Sequence, residues 1–356
     1  MKVGLAEHPD FLKHDNGPGH PERPERLAAI SSAVRRHSFG VDLVEMPTRN
    51  ATRSELALVH GSAYLDRLED TRARALTNFD ADTRATDKSF DVALRAAGSA
   101  VSAVHESLTG TVRRSFVLGR PPGHHAEADR AMGFCLLNNA AIAAAAAIAH
   151  GGLDRVAVVD WDVHHGNGTA HVFASRSDVL YLSMHQYPHY PGTGAAHEIG
   201  SGAGAGFTVN IPLPAGCTDA DYATVMDAIA IPILREYAPQ LIIVSAGFDA
   251  HRDDPLAGML LTGGGFASLT RGVVGIADEF AGGRIVHLLE GGYDLESLAE
   301  GVCAVLSVLI GGDADSDGGG SNRRDAESNQ ARPAAISAVR AVRAQHAEFW
   351  SMADQG

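Results

Sequence analysis

Short apolar runs rich in β-branched residues recur along the chain: KVGLAE at 2–7, SFVLG at 115–119, RVAVVD at 155–160, DVLYLSMH at 178–185, QLIIVSAG at 240–247 and GRIVHLLEGG at 283–292. Runs that stay apolar without alternation, bounded by Gly or polar loops, predict strands buried on both faces. Between them lie alanine-rich stretches of helical character, such as NNAAIAAAAAIAH at 138–150 and ATVMDAIAIPILREY at 223–237. Strand alternating with helix predicts an α/β fold with a largely parallel central sheet flanked by helices. Ligands in such sheets bind beyond the carboxyl ends of the strands. Polar clusters follow five of the runs: GRPPGHH, DWDVHHGN, MHQYPHYPGTG, GFDAHRDDP and EGGYDL. Five strand ends are therefore expected to converge on one site.

At 356 residues the chain could hold one large α/β domain or two smaller ones. The expected division is one open domain over 1–310, a low-complexity polar linker over 311–333 and a C-terminal helix over 334–356 that docks on the same domain. No run of about eighteen apolar residues is present, so a membrane span is not expected. The start, MKVGLAEHPD, lacks a signal-peptide pattern. Cys135, Cys217 and Cys303 are widely spaced and offer neither a disulfide framework nor a CxxC metal pair. A reduced, cytoplasmic protein is the simplest reading. The formal net charge of −14 argues against binding nucleic acid and suits cationic partners such as lysine-rich peptides or polyamines. Acidity also serves solubility alone, so charge does not select among these.

The chemistry lies in the polar clusters. Asp162 and His164 are two apart, so an extended segment sends both side chains from one face. Asp249, directly after LIIVSAGF, could add a third ligand. Two carboxylates and one imidazole with open positions suit a catalytic metal: zinc first, with Fe(II), Co(II) or Mn(II) also accepted by an oxygen-rich set. A DxDxH strand end can equally be a capped turn bonded to loop amides; the convergence of several clusters favours a metal. The tandem His124-His125, in RPPGHHAEADRAMGFC, could supply the base and acid that metal-assisted hydrolysis needs near neutral pH. Each ring needs an orienting partner, and Asp160 and Asn167 are free for that role. Tyr293, between two glycines and Asp294 in LLEGGYDLES, could donate to a developing oxyanion, although a tyrosine in a Gly turn is more often packing. His165 is expected to face away from the metal.

The segments RPPGHH, GFCLLNNAAIAA, DWDVHHGNGTAHVF, SAGFDAHRDDP and LEGGYDLESLA resemble, in order and over about residues 1–310, the histone deacetylase/acetylpolyamine amidohydrolase family, nearest its class II branch. The resemblance implies the arginase–deacetylase fold. It makes Asp162, His164 and Asp249 ligands of one zinc ion, His125 the general base and acid, and His124 its electrostatic support. Asp160 would orient His124, Asn167 would orient His125, and Tyr293 would polarise the acyl carbonyl. Phe134 and Tyr190 match the aromatic walls of an acyl-lysine tunnel, a slot suited to an apolar four-carbon stem, with Gly133 at its floor and Gly292 beside Tyr293. Asp82 matches a rim carboxylate for substrate amides. Arg26 matches an arginine of an acetate-exit channel, or else forms an ion pair within its own helix. A structural monovalent cation, potassium or sodium, would bind at Asp160, Asp162, His164, Ser183 and Met184, with an outer site at Phe173, Arg176, Val179 and Phe207.

Leu256, seven residues beyond Asp249, matches the gate of lysine-preferring members rather than an acidic polyamine gate. The implied substrate is an acylated lysine peptide or protein, with an acetylated polyamine as the alternative. A homo-oligomer stays open. A rival class is the binuclear manganese ureohydrolases, whose metal motif DAHRD resembles, but GGDH and SxDxD partners are missing from the sequence. A non-catalytic acyl-lysine binder would have lost the tyrosine or a ligand, and here all are present.

Overall fold

The apolar runs become the strands of one parallel sheet. A computed structural model describes residues 1–37, 39–110, 112–312 and 330–352. Its strands are β1 (Val3–Ala6), β2 (Leu43–Glu45), β3 (Leu76–Asn78), β4 (Arg84–Thr86), β5 (Arg114–Val117), β6 (Val156–Asp160), β7 (Val179–Gln186), β8 (Thr208–Leu213), β9 (Leu241–Ala246) and β10 (Ile285–Leu289). Eight of them form a sheet in the order β2-β1-β5-β10-β9-β6-β7-β8, and every pairing in it is parallel. β3 and β4 form a separate antiparallel hairpin.

Alternate residues of each strand feed two cores, as a period of two requires. Ala157 and Val159 of β6 with Ile242 and Val244 of β9 face one layer, which holds helices Glu25–His37, Gly263–Phe280 and Leu295–Ile310. Val156, Val158, Leu241 and Ile243 face the other, where Asn139–Ala149 presents an almost unbroken alanine surface. Small side chains allow that helix and Ser89–Thr109 to lie close together.

The sequence pattern did not show every element. β8 carries Pro212, which has no N–H to pair and is tolerated because β8 is an edge strand. β2 is three residues long and half-exposed at the other edge. The run at 223–237 reads as one helix, yet it is divided into Asp219–Val225, one π turn at Met226–Ala230 and Ile231–Tyr237. Pro232 cannot continue the ordinary i→i−4 ladder, and the π turn absorbs the break.

Most of the polar stretch at 311–333, from 313 to 329, lies outside the described residues. Beyond it, helix Pro333–His346 packs against β8 and Asp219–Val225. Trp350 is buried, donates Nε1–H to the Gly206 carbonyl at 2.8 Å and packs on Phe207 and Tyr237. Among the described residues no helix is long and apolar enough to cross a membrane. Replacing this indole removes a buried aromatic and leaves a cavity, so Trp350→Ala is expected to cost about 3 kcal/mol, read as a lower thermal midpoint. An unchanged midpoint would show that the C-terminal helix adds no stability.

Candidate active site

Two neighbouring strand ends bring together three side chains that could hold a metal. After β6 the chain runs from Asp160 to His164, burying Trp161 and Val163 in the core while Asp162 and His164 point toward the loop after β9. One ligand atom from each of Asp162, His164 and Asp249 lies within 4.8 Å of the others, and all three residues are buried. Main-chain amides hold the carboxylates: His164 N–H donates to Asp162 Oδ1 at 2.9 Å, Val163 N–H to Asp249 Oδ1 at 2.9 Å and Gly291 N–H to Asp162 Oδ2 at 2.8 Å. A Cβ on Gly291 would collide with both carboxylates, so glycine is what lets the β10 loop approach them.

His164 Nδ1 stands 3.1 Å from Asp162 Oδ1 and 3.2 Å from Asp249 Oδ2. Burial, and then the charge of Asp162, push the Asp249 carboxyl up to about 7. Against its own burial, Asp162 is held far below the usual carboxylate range by His124 and His164. Burial also opposes charge on His164, but its bonds to the two carboxylates outweigh that and raise the imidazole to about 10. The donor set of two carboxylate oxygens and one imidazole nitrogen fits a divalent ion with positions left open.

The tandem histidines lie in the loop after β5, their rings 4.0 Å apart. His124 donates from Nδ1 to Asp160 Oδ2 at 3.0 Å, and that oxygen also accepts the Tyr181 hydroxyl at 3.0 Å. Burial opposes charge on His124, but Asp160 and Asp162 raise it to about 10. His125 donates from Nδ1 to Asn167 Oδ1 at 2.8 Å, and its ring stands 5.9 Å from that of His164. Burial, and then the charges of His124 and His164, hold His125 well below the usual histidine value. Two neighbouring imidazoles are thus pushed apart, one toward the cation and one toward the neutral base, a pattern that marks acid–base sites.

Tyr293 follows β10, and its phenol is raised by burial and by Asp249. Arg26, fully buried, lies over the Tyr293 ring at 5.1 Å and donates to the carbonyls of Gly292 (2.6 Å) and Glu290 (2.5 Å) and to Glu22 Oε1 (3.2 Å). It therefore makes an ion pair with Glu22, in the turn just before its helix, and also clamps the tyrosine loop. Phe134 packs edge-on against Tyr293 at 5.8 Å, and Tyr190, 40% exposed, packs against His125 at 5.1 Å. Gly133 and Phe134 both have positive φ, and a Cβ on Gly133 would collide with the His125 ring. Asp82 lies on the β3–β4 hairpin, where its carbonyl accepts from His20, whose ring packs on Phe134 at 4.6 Å. Leu256 is half-buried in the loop after β9. His165 is buried against Tyr181 and His185 with Nδ1 on the Thr193 hydroxyl, away from the ligand cluster.

Asp160 pairs in register with Ser183 on β7 and Ser245 on β9, and Met184 follows Ser183. Phe173, Arg176 and Val179 lie along the turn from helix Asn167–Phe173 into β7, and the Phe207 carbonyl accepts the Tyr181 N–H there.

Four polar residues at the site escaped the sequence reading. Glu290 is fully buried; Oε2 accepts the N–H groups of Gly123 (2.6 Å) and His124 (3.2 Å), and Oε1 the Ser245 hydroxyl (3.2 Å). Burial pushes it up to about 7, against the pull of His124. It fixes the histidine loop to the sheet, and a carboxylate closing an apolar run is the signal that singled out Asp160. Glu127 accepts the Asn167 amide at 2.5 Å, which sets the amide so that its oxygen faces His125. His189 stacks on His164 at 5.0 Å, and Asp254 accepts the Tyr293 N–H at 2.7 Å.

Residues 20–309 match the histone deacetylase domain. Among curated proteins the chain is 41% identical to histone deacetylase 15 of Arabidopsis thaliana over 82% of its own length and 53% of that protein. It is 40% identical to a probable deacetylase of Archaeoglobus fulgidus, covering 83% of this chain and 82% of the other. It is 38% identical to polyamine deacetylase HDAC10 of Homo sapiens, covering 87% and 48%. The chain thus spans about half the length of the plant and human relatives. The solved HDA15 HD domain superposes with a TM-score of 0.91 at 36% identity, over 98% of this chain and 95% of that one.

Because the two carboxylates raise the His164 imidazole to about 10, a metal taking that nitrogen is expected to displace a proton, and apparent affinity to rise with pH toward that value. Calorimetric titration of zinc at pH 8 in buffers of different ionisation enthalpy is expected to show about one proton released per ion, and Asp249→Ala to weaken binding by about 100-fold or more. Uptake without proton release would contradict this geometry.

Proposed function

The chain belongs to the histone deacetylase family, and on that premise we propose that it is a zinc-dependent amidohydrolase that removes acetyl groups from the side-chain amine of lysine in peptides or proteins, releasing acetate. The observation that carries this reading is the orientation of His125 beside the Asp162–His164–Asp249 cluster. Its Nδ1–H is committed to Asn167, so Nε2 is the nitrogen left to take a proton. When bound, the ion supplies Lewis acidity toward the acyl oxygen and lowers the pKa of a water.

His125 Nε2 accepts the proton of the attacking water and returns it to the departing amine, so one nitrogen serves as base and then acid. His124, held cationic by Asp160, gives electrostatic support at the same place. The Tyr293 phenol stays protonated and donates to the developing oxyanion, with Arg26 keeping the ring and its loop in place. Phe134 and Tyr190 flank the stem of the acylated side chain, and Gly133 allows the wall to press on His125. Asp82 stands beside Phe134 through His20, where it can receive substrate amides. The polar row of Asp160, Ser183 and the carbonyls that follow β6 supports a structural potassium or sodium ion with Asp162, His164 and Met184; Phe173, Arg176, Val179 and Phe207 would hold an outer one.

Leu256 at the mouth supports lysine over polyamine, since no carboxylate occupies that position. A relative named as a polyamine deacetylase makes acetylpolyamine the competing substrate. Metal-loaded protein assayed on acetyl-lysine peptides and acetylspermidine is expected to favour the peptides; turnover confined to the polyamine would reverse the assignment.

Tyr293→Phe is expected to lower turnover by roughly 10²–10³ in that assay, the cost of removing one oxyanion donor. Wild-type turnover in the phenylalanine variant would remove Tyr293 from the chemistry. A carboxylate in place of Asn167 would stabilise the His125 imidazolium and raise its pKa. The double variant Asn167→Asp, Glu127→Gln, in which the second change avoids a new carboxylate pair, should therefore move the acidic limb of kcat/KM up by about one pH unit. An unmoved limb would show that Asn167 does not set the pKa of the base.

A further inference from the structure

Three loops meet at the mouth of the site: those after β7, β9 and β10. A single carboxylate joins the last two. Asp254 is 6% exposed. Its Oδ2 accepts the N–H of Tyr293 at 2.7 Å and of Asp294 at 3.4 Å, and its Oδ1 accepts the N–H of Leu256 at 3.0 Å. The carbonyl of Leu256 accepts in turn from His189 Nε2 at 3.1 Å, and the His189 ring stacks on His164. Leu256 is thus held on both sides, by Asp254 through its N–H and by His189 through its carbonyl.

We infer that Asp254 is a positioning residue that couples the pocket mouth at Leu256 to Tyr293, so that one side chain sets both where the substrate stem is gripped and where the phenol stands. The inference rests on the amidohydrolase reading above and adds to it the means by which mouth and oxyanion donor keep a fixed separation. The peptide group joining Gly292 to Tyr293 is held at both ends, by Arg26 at the Gly292 carbonyl and by Asp254 at the Tyr293 N–H, and Asp254 also takes the Asp294 N–H on the far side of Tyr293. The next residue, Asp294, caps helix Leu295–Ile310 by accepting from Ser297 N–H at 2.9 Å. Removing the Asp254 tether leaves the peptide before Tyr293 held by Arg26 alone, next to Gly292, whose φ is 116°.

The chemistry of the acceptor separates the two roles. Three N–H donors and no acceptor surround the carboxylate, so both oxygens are used. Asparagine offers one acceptor, and the pair of donors on the Tyr293 side draws its oxygen there. Its NH₂ then faces the Leu256 N–H, and only the mouth is released. Alanine releases both.

The test is steady-state kinetics of metal-loaded protein on an acetyl-lysine peptide, with zinc content and thermal midpoint measured for each variant. Asp254→Asn is expected to raise KM about fivefold or more while kcat falls less than about threefold, and Asp254→Ala to raise KM similarly and lower kcat by about tenfold or more. His189→Ala should raise KM, and His189→Gln, which keeps a donor near Nε2, should restore it. Equal losses of kcat in the two Asp254 variants with KM unchanged would overturn the coupling, as would Asp254→Ala with wild-type kcat. A second measurement needs no turnover: binding of a hydroxamate carrying a four-carbon stem and aromatic cap, compared with acetohydroxamate. Asp254→Asn should weaken the capped ligand about fivefold or more relative to the small one; an unchanged ratio refutes the inference. If wild-type protein hydrolyses no acylated amine, the amidohydrolase reading fails, and the hydroxamate ratio still decides the coupling.

Discussion

Four carboxylates, Asp160, Asp162, Asp249 and Glu290, are buried at the carboxyl ends of the central strands, and the architecture around them follows from the cost of that burial. Burial, and after it the charges of neighbouring carboxylates, raise Asp249 and Glu290. Each is compensated differently. Asp160 has the His124 ring and a tyrosine hydroxyl, and Asp162 has two amides and His164. Glu290 has two amides and a serine hydroxyl. Asp249 has the fewest partners of the four, one amide and His164, and is the carboxylate that would gain most from a bound cation.

Main-chain amides can do this only because the four central strands end side by side. In the order β5-β10-β9-β6, two late strands stand between two early ones, so loops distant in sequence leave the sheet together. The β10 loop reaches Asp162 through Gly291, the β5 loop is fixed by Glu290, and the β9 loop brings Asp249 to the Val163 amide. The site is therefore assembled from short connections anchored to rigid strands rather than from one flexible segment, which suits groups that must hold their geometry during reaction. Glycines mark the close approaches, Gly291 and Gly247 behind the ligand carboxylates and Gly133 beneath His125.

Much of this was legible in the sequence, because strands buried on both faces are continuous apolar runs and the polar groups that close them are conspicuous. Asp160, Asp162, His164 and Asn167 stand out in DWDVHHGN for that reason, and Asp249 closes another such run. Edge elements were not legible: β8 holds a proline and β2 is too short and exposed for a periodic signal. Glu290 was passed over although it interrupts its run as Asp160 does, since a residue that binds main-chain amides has no partner type to search for. Asp254 and Glu127 share that difficulty. Their partners are an N–H of Tyr293 and the amide of Asn167, and only the folded chain puts these within reach.

The environment of His125 shows how a single amide alters such a site. A carboxylate in contact with Nδ1 would stabilise the imidazolium directly; Asn167 offers only a dipole. Yet its NH₂ group is bonded to Glu127, so a negative charge stands one residue farther out, in line with the amide that His125 faces. Glu127 is in turn shared with His171 at 2.8 Å and Arg130 at 3.8 Å, near the surface. Its influence on His125 is thus attenuated twice, by distance and by cationic neighbours. Burial and the adjacent charges of His124 and His164 then dominate, and His125 is left neutral beside an imidazole that is cationic. A base held in its unprotonated form next to a cationic imidazole takes up a proton more readily as negative charge develops nearby, which is what the proposed path to a tetrahedral oxyanion would supply.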